Sequence, residues 1–165
     1  MIESIKQLKE ALLQESRMYE EVLILEQKKI EIIKKAKLRE LEKITEEEQE
    51  FIFKIGTYER IRSSVIANIC EELEVRQVST ITDCLILIDS EDDKKFINGL
   101  RNQILNTIEE IKEINKINEA LMNERLDFIK FSMELLTTDL SDGNNYNQGA
   151  TGQEKQKTNL FDASI

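Results

Sequence analysis

The chain has 165 residues, a formal net charge of −10 and a sequence pI near 4.7, and it contains no His, Pro or Trp. A nucleic-acid binder needs a cationic surface, and the one basic run here, residues 34–39, is flanked by glutamates. The absence of His removes the commonest general base and the usual catalytic dyads and triads. Nucleic-acid binding and catalysis are therefore both disfavoured, and we predict no catalytic residues.

The sequence also lacks the patterns that hold metals and cofactors. There is no glycine-rich phosphate loop, and two cysteines, Cys70 and Cys84, do not make a four-ligand zinc site. The acidic run at residues 89–93 resembles the start of a calcium loop, but Lys94 and Leu100 occupy the positions that require Gly and Glu. We therefore predict no metal and no cofactor.

The distribution of apolar residues predicts a cytoplasmic location. No secretory signal and no apolar run of about 20 residues is present, so we expect no membrane span. In a reducing cytoplasm Cys70 and Cys84 would act as small hydrophobic residues, and a disulfide between them is the less favoured alternative.

Residues 2–74 carry apolar side chains at intervals of three and four, which is typical of an amphipathic helix. Ile44, Phe51, Tyr58 and Val65 are spaced by sevens, as in a coiled coil. Either one long helix or two helices with a reversal near residues 36–45 fits this pattern. A capping box at Thr45-x-x-Glu48 would favour a break, but no Gly or Pro marks a turn, so a continuous or kinked helix is the preferred interpretation.

Two further helices follow a connection at residues 74–80. Thr80 is a candidate N-cap for a short helix over 80–88, and Ser90 for a long helix over 91–140. Long helices with facing apolar stripes and a short connection pack antiparallel. The predicted fold is all-α, an elongated, coiled-coil-like antiparallel hairpin or bundle over residues 1–140, with a flexible, mobile polar tail at 141–165.

Polar residues interrupt the apolar stripe in the second half of the last long helix. They either border the helix seam and fix its register or line a groove for a partner helix, and the apolar residues around them exceed one narrow seam. The candidate partner-binding residues are Asn115, Asn118, Leu121, Met122, Arg125, Phe128, Ile129, Met133 and Leu136. In the tail, Tyr146 and the pair Leu160-Phe161 are apolar islands, which are either candidate anchors for a partner or incidental residues of a solvated segment.

Several short motifs, in order along the chain, resemble the FlgN flagellar export chaperones. Residues 44–49 read Ile-Thr-Glu-Glu-Glu-Gln, like that family's "I-T-x-x-E-Q" element, and residues 58–62 read like its "L-E-x-x-R" element with Tyr in place of Leu. Residues 80–85 resemble the start of its short second element, and residues 115–121 match its "N-x-x-N-x-x-L" motif, followed by 132–136. The tail resembles it at residues 146–149 and 160–162.

The resemblance implies a cytoplasmic chaperone of flagellum biogenesis that binds the terminal helices of hook-associated proteins and delivers them to the type III export gate. It further implies that residues 115–136 belong to the substrate-binding half and that Tyr146 contacts the cytoplasmic component of the gate. The alternatives are a chaperone for the filament or cap protein, or a structural coiled-coil protein that forms homo-oligomers.

Overall fold

A computed structural model describes residues 2–140, which form four helices: α1 (Ile2–Lys34), α2 (Leu38–Glu72), α3 (Ile81–Leu87) and α4 (Glu91–Leu140). Within this range no residue is in a β-strand, so the all-α prediction is confirmed. None of the four helices is long and apolar enough to cross a membrane.

The first two helices form an antiparallel hairpin that reverses at residues 35–37. Contacts between them pair Ser4 with Glu72, and Lys29 with Glu48, so one residue number rises as the other falls. The preferred interpretation of a continuous or kinked helix is therefore wrong, and the alternative of two helices with a reversal near residues 36–45 is the one observed, with the turn slightly earlier. The proposed capping box is also wrong, because Thr45 lies inside α2 and its hydroxyl donates to the Leu41 carbonyl at 2.9 Å.

The reversal between α1 and α2 lacks the glycine that usually occupies such a turn. Ala36 has φ 50°, and the amides of Ala36 and Lys37 donate to the carbonyls of Ile33 and Ile32 at 3.1 and 3.2 Å. These two bonds form a Schellman motif, whose left-handed position is usually Gly. An Ala at that position adopts a strained backbone conformation, so a turn is present where neither Gly nor Pro signals it.

The helix caps predicted for the second half of the domain are confirmed. Thr80 accepts a hydrogen bond from the Asp83 amide at 3.1 Å, and Ser90 accepts one from the Asp93 amide at 3.3 Å. Each bond satisfies one of the amides that lack a helical partner at the start of a helix. Together they fix the starts of α3 and α4.

Helix α4 runs parallel to α1 and hence antiparallel to α2. Lys9 contacts Asp93, Glu20 accepts from Gln103 at 2.5 Å, and Arg125 contacts the Lys34 carbonyl, so both residue numbers rise together. Helix α1 therefore lies at the centre of the domain, with α2 on one side and α4 on the other.

The main core is formed by buried residues from all four helices. It contains both cysteines, which are free and buried, as expected of small hydrophobic residues. Burial raises the pKa of the Cys84 thiol to about 11, and the neighbouring Cys70 contributes in the same direction. The largest fully buried apolar side chains are Tyr19, Leu8, Leu12, Ile66, Ile69, Ile81, Ile88, Ile97, Ile104 and Ile111.

Candidate functional site

Helix α4 extends beyond the helices that support it. Its packing on α1 ends at Arg125, whose guanidinium donates to the carbonyl of Lys34, the last residue of α1. The remaining residues, 126–140, add about 22 Å of helix at 1.5 Å per residue. From Met122 to Thr138 every side chain is exposed except that of Ser132, which is half-buried. We call residues 122–138 the free end of α4.

The free end is unusually apolar for an exposed helix. Its large apolar side chains are between 37 % and 66 % exposed: Met122, Leu126, Phe128, Ile129, Phe131, Met133, Leu135 and Leu136. Single exposed apolar residues are ordinary, but a contiguous apolar surface on a folded domain marks an interaction site. Within residues 2–140 no other segment packs over it.

A buried hydrogen-bonded contact marks the point where α4 is still held by α1. The Asn118 amide nitrogen donates to the Glu26 backbone carbonyl and to a Glu26 carboxylate oxygen, both at 3.1 Å. Both residues are almost fully buried, at 3 % and 1 % exposure. Asn118 thereby fixes the register of α4 against α1 one turn before the free end begins.

Glu26 also interacts with α2. Burial and a hydrogen bond to the carboxylate of Glu48 raise the pKa of Glu26 to about 8, although Lys29 and Asn118 act in the opposite direction. Glu48 is itself paired with Lys29 at 2.6 Å. The raised pKa of Glu26 favours the protonated form of its carboxyl group in this contact.

A second buried polar contact joins α1 to α2, nearer to the start of α1. The Arg62 guanidinium donates to Glu15, and both side chains are buried. Burial raises the pKa of Glu15 and outweighs the opposing effect of Arg62. The nearby Tyr19 hydroxyl also has a raised pKa, chiefly because of its burial and then because of the Glu15 charge. Because both side chains are buried, this pair helps to specify how α1 and α2 pack, and it does not present a reactive group at the surface.

The candidate partner-binding residues separate into two groups in the structure. Met122, Phe128, Ile129, Met133 and Leu136 are all exposed on the free end. The surface they form is convex, so the groove expected from the sequence is not present among the described residues.

The other candidate residues lie at the boundary with α1. Asn115 and Leu121 are half-buried, and Arg125 is exposed but bonded to α1. Asn118 lies inside the protein's own interface, and a partner cannot reach it while α4 packs on α1.

Sequence reasoning did not include three residues of this surface, Leu126, Phe131 and Leu135, which are 50–58 % exposed. Their positions, 18 residues after Ile108, Glu113 and Ile117 on the same sides of α4, are the sequence signal that could have found them. Tyr146, Leu160 and Phe161 lie outside the residues that the structure describes. In the described part of the chain no group of three or more Cys, Asp or Glu side chains is placed to hold a metal ion.

An all-α domain whose longest helix ends in an exposed apolar surface has the construction of a helical protein-binding module. A sequence model of a protein family, described as "FlgN protein", matches residues 1–155 of the chain. The chain therefore belongs to the FlgN family of flagellar export chaperones, and the resemblance read from its motifs is confirmed.

The chain was also compared with curated proteins and with solved structures. The chain is similar to the "Uncharacterized protein YvyG" of Bacillus subtilis (strain 168), with 28 % identity over 150 residues, covering 88 % of this chain and 89 % of that protein. No solved structure matches the chain.

Proposed function

We propose that this protein is a cytoplasmic escort for hook-associated proteins, the subunits of the hook–filament junction, and that it binds their terminal helices through the free end of α4. Membership of the FlgN family supports a flagellar export role in general. The observation that carries the proposal is the exposed apolar surface at residues 122–138, which the domain itself does not use.

The chemistry of the surface suits a helical cargo. A terminal helix that is destined to pack in an assembled filament is amphipathic and exposes its apolar stripe while the subunit is unassembled. Covering that stripe prevents premature association. Methionines at positions 122 and 133 are flexible and polarisable, so they can pack against more than one cargo helix.

Release of the cargo is compatible with the same surface. The free end is a single exposed helix without a preformed cavity, and ordering both partners on binding reduces the net affinity. A chaperone of this kind holds its cargo by apolar contact alone and needs no chemical step to let it go.

Delivery to the export gate is assigned to the tail. Tyr146 lies six residues after the end of α4, in the Tyr-Asn-Gln-Gly stretch that resembles the tail motif of the family. In this proposal Tyr146 contacts the cytoplasmic component of the gate, and Leu160-Phe161 provides a second anchor. The two activities, holding cargo and contacting the gate, are therefore carried by neighbouring but separate segments.

The direct test is a binding measurement with purified proteins. We expect a complex of fixed stoichiometry with a hook-associated protein from the same genome in size-exclusion chromatography with light scattering. Phe128→Asp should abolish that complex, as should Leu121→Asp, with circular dichroism as a check on folding because Leu121 is half-buried. A matched control is Lys130→Ala, an exposed change on the polar side of the same helix.

Two results would contradict the proposal. A wild-type chain that ignores every hook-associated protein but binds the filament or cap subunit would serve a different cargo. A wild-type chain that binds no axial subunit and only pairs with itself would be a structural coiled-coil protein.

A further inference from the structure

The free end of α4 is apolar on two sides, and the second side is polar over most of the part of α4 that packs on α1. Residues 18 apart are separated by about five helical turns and point in the same direction from a helix axis. The packed part of α4 is therefore an internal reference, residue by residue, for its free end.

The first side continues the buried seam of α4. Ile104, Ile108 and Ile111 face α1 and are at most 4 % exposed. The residues 18 positions later are Met122, Leu126 and Ile129, and Met133 and Leu136 extend the same side. We call these five residues the first face. A helix that covers it occupies, beyond the α1–α2 turn, the position that α1 occupies along the packed part.

The second side is polar over most of the packed part. Gln103, Glu110 and Glu113 are exposed or bonded at the surface, as expected of a solvent-facing arc. The residues 18 positions later are Leu121, just before the free end, and Phe128 and Phe131 within it. Leu135 adds a fourth, and its counterpart 18 positions earlier, Ile117, is already apolar and 49 % exposed. We call these four residues the second face. The solvent side of α4 thus changes from polar to apolar from Ile117 onward, within the last turns that pack on α1.

The combined width of the two faces indicates how many helices are needed to cover them. At 100° per residue they span an arc of roughly 200°, whereas one neighbouring helix buries a stripe of about 100°. Helix α1 has a buried arc of similar width, and it packs against two helices, α2 and α4. The pattern of the free end is therefore that of a helix with two neighbours.

We propose that the occupant of the free end is a pair of amphipathic helices from one cargo chain, one helix on each face. This inference rests on the proposed function and adds the architecture of the cargo. A second copy of this chain would bring one free end, hence one helix, and would leave a face uncovered. The first face is continuous with the α1–α4 seam, which fixes where one of the two cargo helices lies.

The test uses the full chain, a full-length hook-associated protein and paired variants that each change one face. Ile129→Glu with Met133→Glu changes the first face, and Phe128→Glu with Leu135→Glu changes the second. All four side chains are 52–65 % exposed, so circular dichroism should show an unchanged fold. The matched control is Asp127→Ala with Lys130→Ala, on the polar arc between the faces.

We expect each face variant to weaken cargo binding by at least about tenfold in calorimetry, since each removes two buried apolar side chains from the complex. The control should bind like the wild type. Cargo that lacks either one of its two terminal helices should lose affinity for the wild-type chain, and should then be sensitive to only one of the two face variants.

The alternative results are distinguishable. If only one face variant loses affinity, the cargo supplies a single helix, which overturns this inference and leaves the chaperone function intact. If the wild-type chain is a dimer that either face variant converts to a monomer and that cargo does not dissociate, the occupant is a second copy. If the wild-type chain binds no axial subunit, the proposed function fails and the two-helix cargo fails with it.

Discussion

Asn118 on α4 and Glu26 on α1 are joined by two hydrogen bonds of 3.1 Å, from one amide nitrogen to the Glu26 backbone carbonyl and to its carboxylate. This contact is the last buried polar link between the two helices before α4 continues alone. It separates a part of α4 that stabilises the domain from a part that is exposed, and it makes the packing of α4 sensitive to the protonation of Glu26.

The stability of the domain should depend on the charge of Glu26. Its pKa in the folded state is about 8, above its ordinary value of 4.5, so the folded state binds the proton more tightly than the unfolded state. The free energy of unfolding should therefore be highest below about pH 4.5, as far as Glu26 contributes, and should decrease as the pH rises towards 8. We expect a loss of a few kcal/mol over that window, at ~1.4 kcal/mol per pKa unit.

Glu26→Gln is the variant that tests this linkage. It keeps a hydrogen-bond donor towards Glu48 and carries no charge, so its stability should vary less with pH between 5 and 8 and should exceed that of the wild type at pH 8. Urea unfolding at several pH values measures both. Glu21→Gln, an exposed change on the same helix, is the control. Equal pH slopes for wild type and Glu26→Gln would show that Glu26 is not protonated in the folded protein.

Two isoleucines of α4 provide a matched comparison of the packed and free parts. Ile111 is fully buried, whereas Ile129, 18 residues later on the same side, is 52 % exposed. Ile111→Ala should lower the free energy of unfolding by about 2–5 kcal/mol, because it leaves a cavity in the core. Ile129→Ala should change it by less than about 0.5 kcal/mol.

Cargo affinity should show the opposite order, with Ile129→Ala weakening binding and Ile111→Ala affecting it only through the fold. Urea unfolding and calorimetry on both variants decide the question. A large loss of stability in Ile129→Ala would mean that residues of this chain cover the free end.

The reversal between α1 and α2 should become more stable with glycine at its left-handed position. Ala36 has φ 50°, a conformation that is unfavourable for a residue with a Cβ atom, so Ala36→Gly should stabilise the domain by up to about 1 kcal/mol. The same change at Ala120, which is exposed within α4, should destabilise it by about 1 kcal/mol. Thermal unfolding of the two variants should therefore shift in opposite directions, and parallel shifts would contradict the Schellman geometry at Ala36.

Tyr146 should affect export without affecting cargo binding. Because Tyr146 lies beyond α4, Tyr146→Ala should leave the affinity for a hook-associated protein unchanged while secretion of that protein falls. Calorimetry and a secretion assay in cells measure the two effects separately, with Tyr146→Phe to show whether the hydroxyl matters. Unchanged secretion in Tyr146→Ala would remove this residue from the gate contact.

The sequence predicted those features that depend on local patterns. The apolar spacing gave the helices, and Thr80 and Ser90 gave the starts of α3 and α4, because an N-cap is a contact between residues three apart. The reversal after α1 was predicted only as the less favoured alternative, because Ala36 holds a position where Gly is the usual signal. The connection after α2 uses another such residue, Glu74, with φ 52°.

The site was predictable only in part, because its form depends on contacts between distant segments. The apolar excess around Phe128 was visible in the sequence, but its exposure follows from where α1 ends relative to α4. That relation is set by the parallel register of the two helices, which contacts such as Asn118–Glu26 fix across a separation of 92 residues. Spacing alone therefore did not distinguish Asn118, which holds the domain together, from Met122, which is exposed one turn later.

The most direct test of the central claim is amide hydrogen exchange of the full chain with and without a bound hook-associated protein. In the free protein, residues 122–138 should exchange faster than residues 97–118, because their side chains lack support from other helices. On binding, we predict strong new protection at 122–138 and little change in α2. Unchanged exchange at 122–138 in a formed complex, with new protection elsewhere, would show that the free end of α4 is not the docking surface.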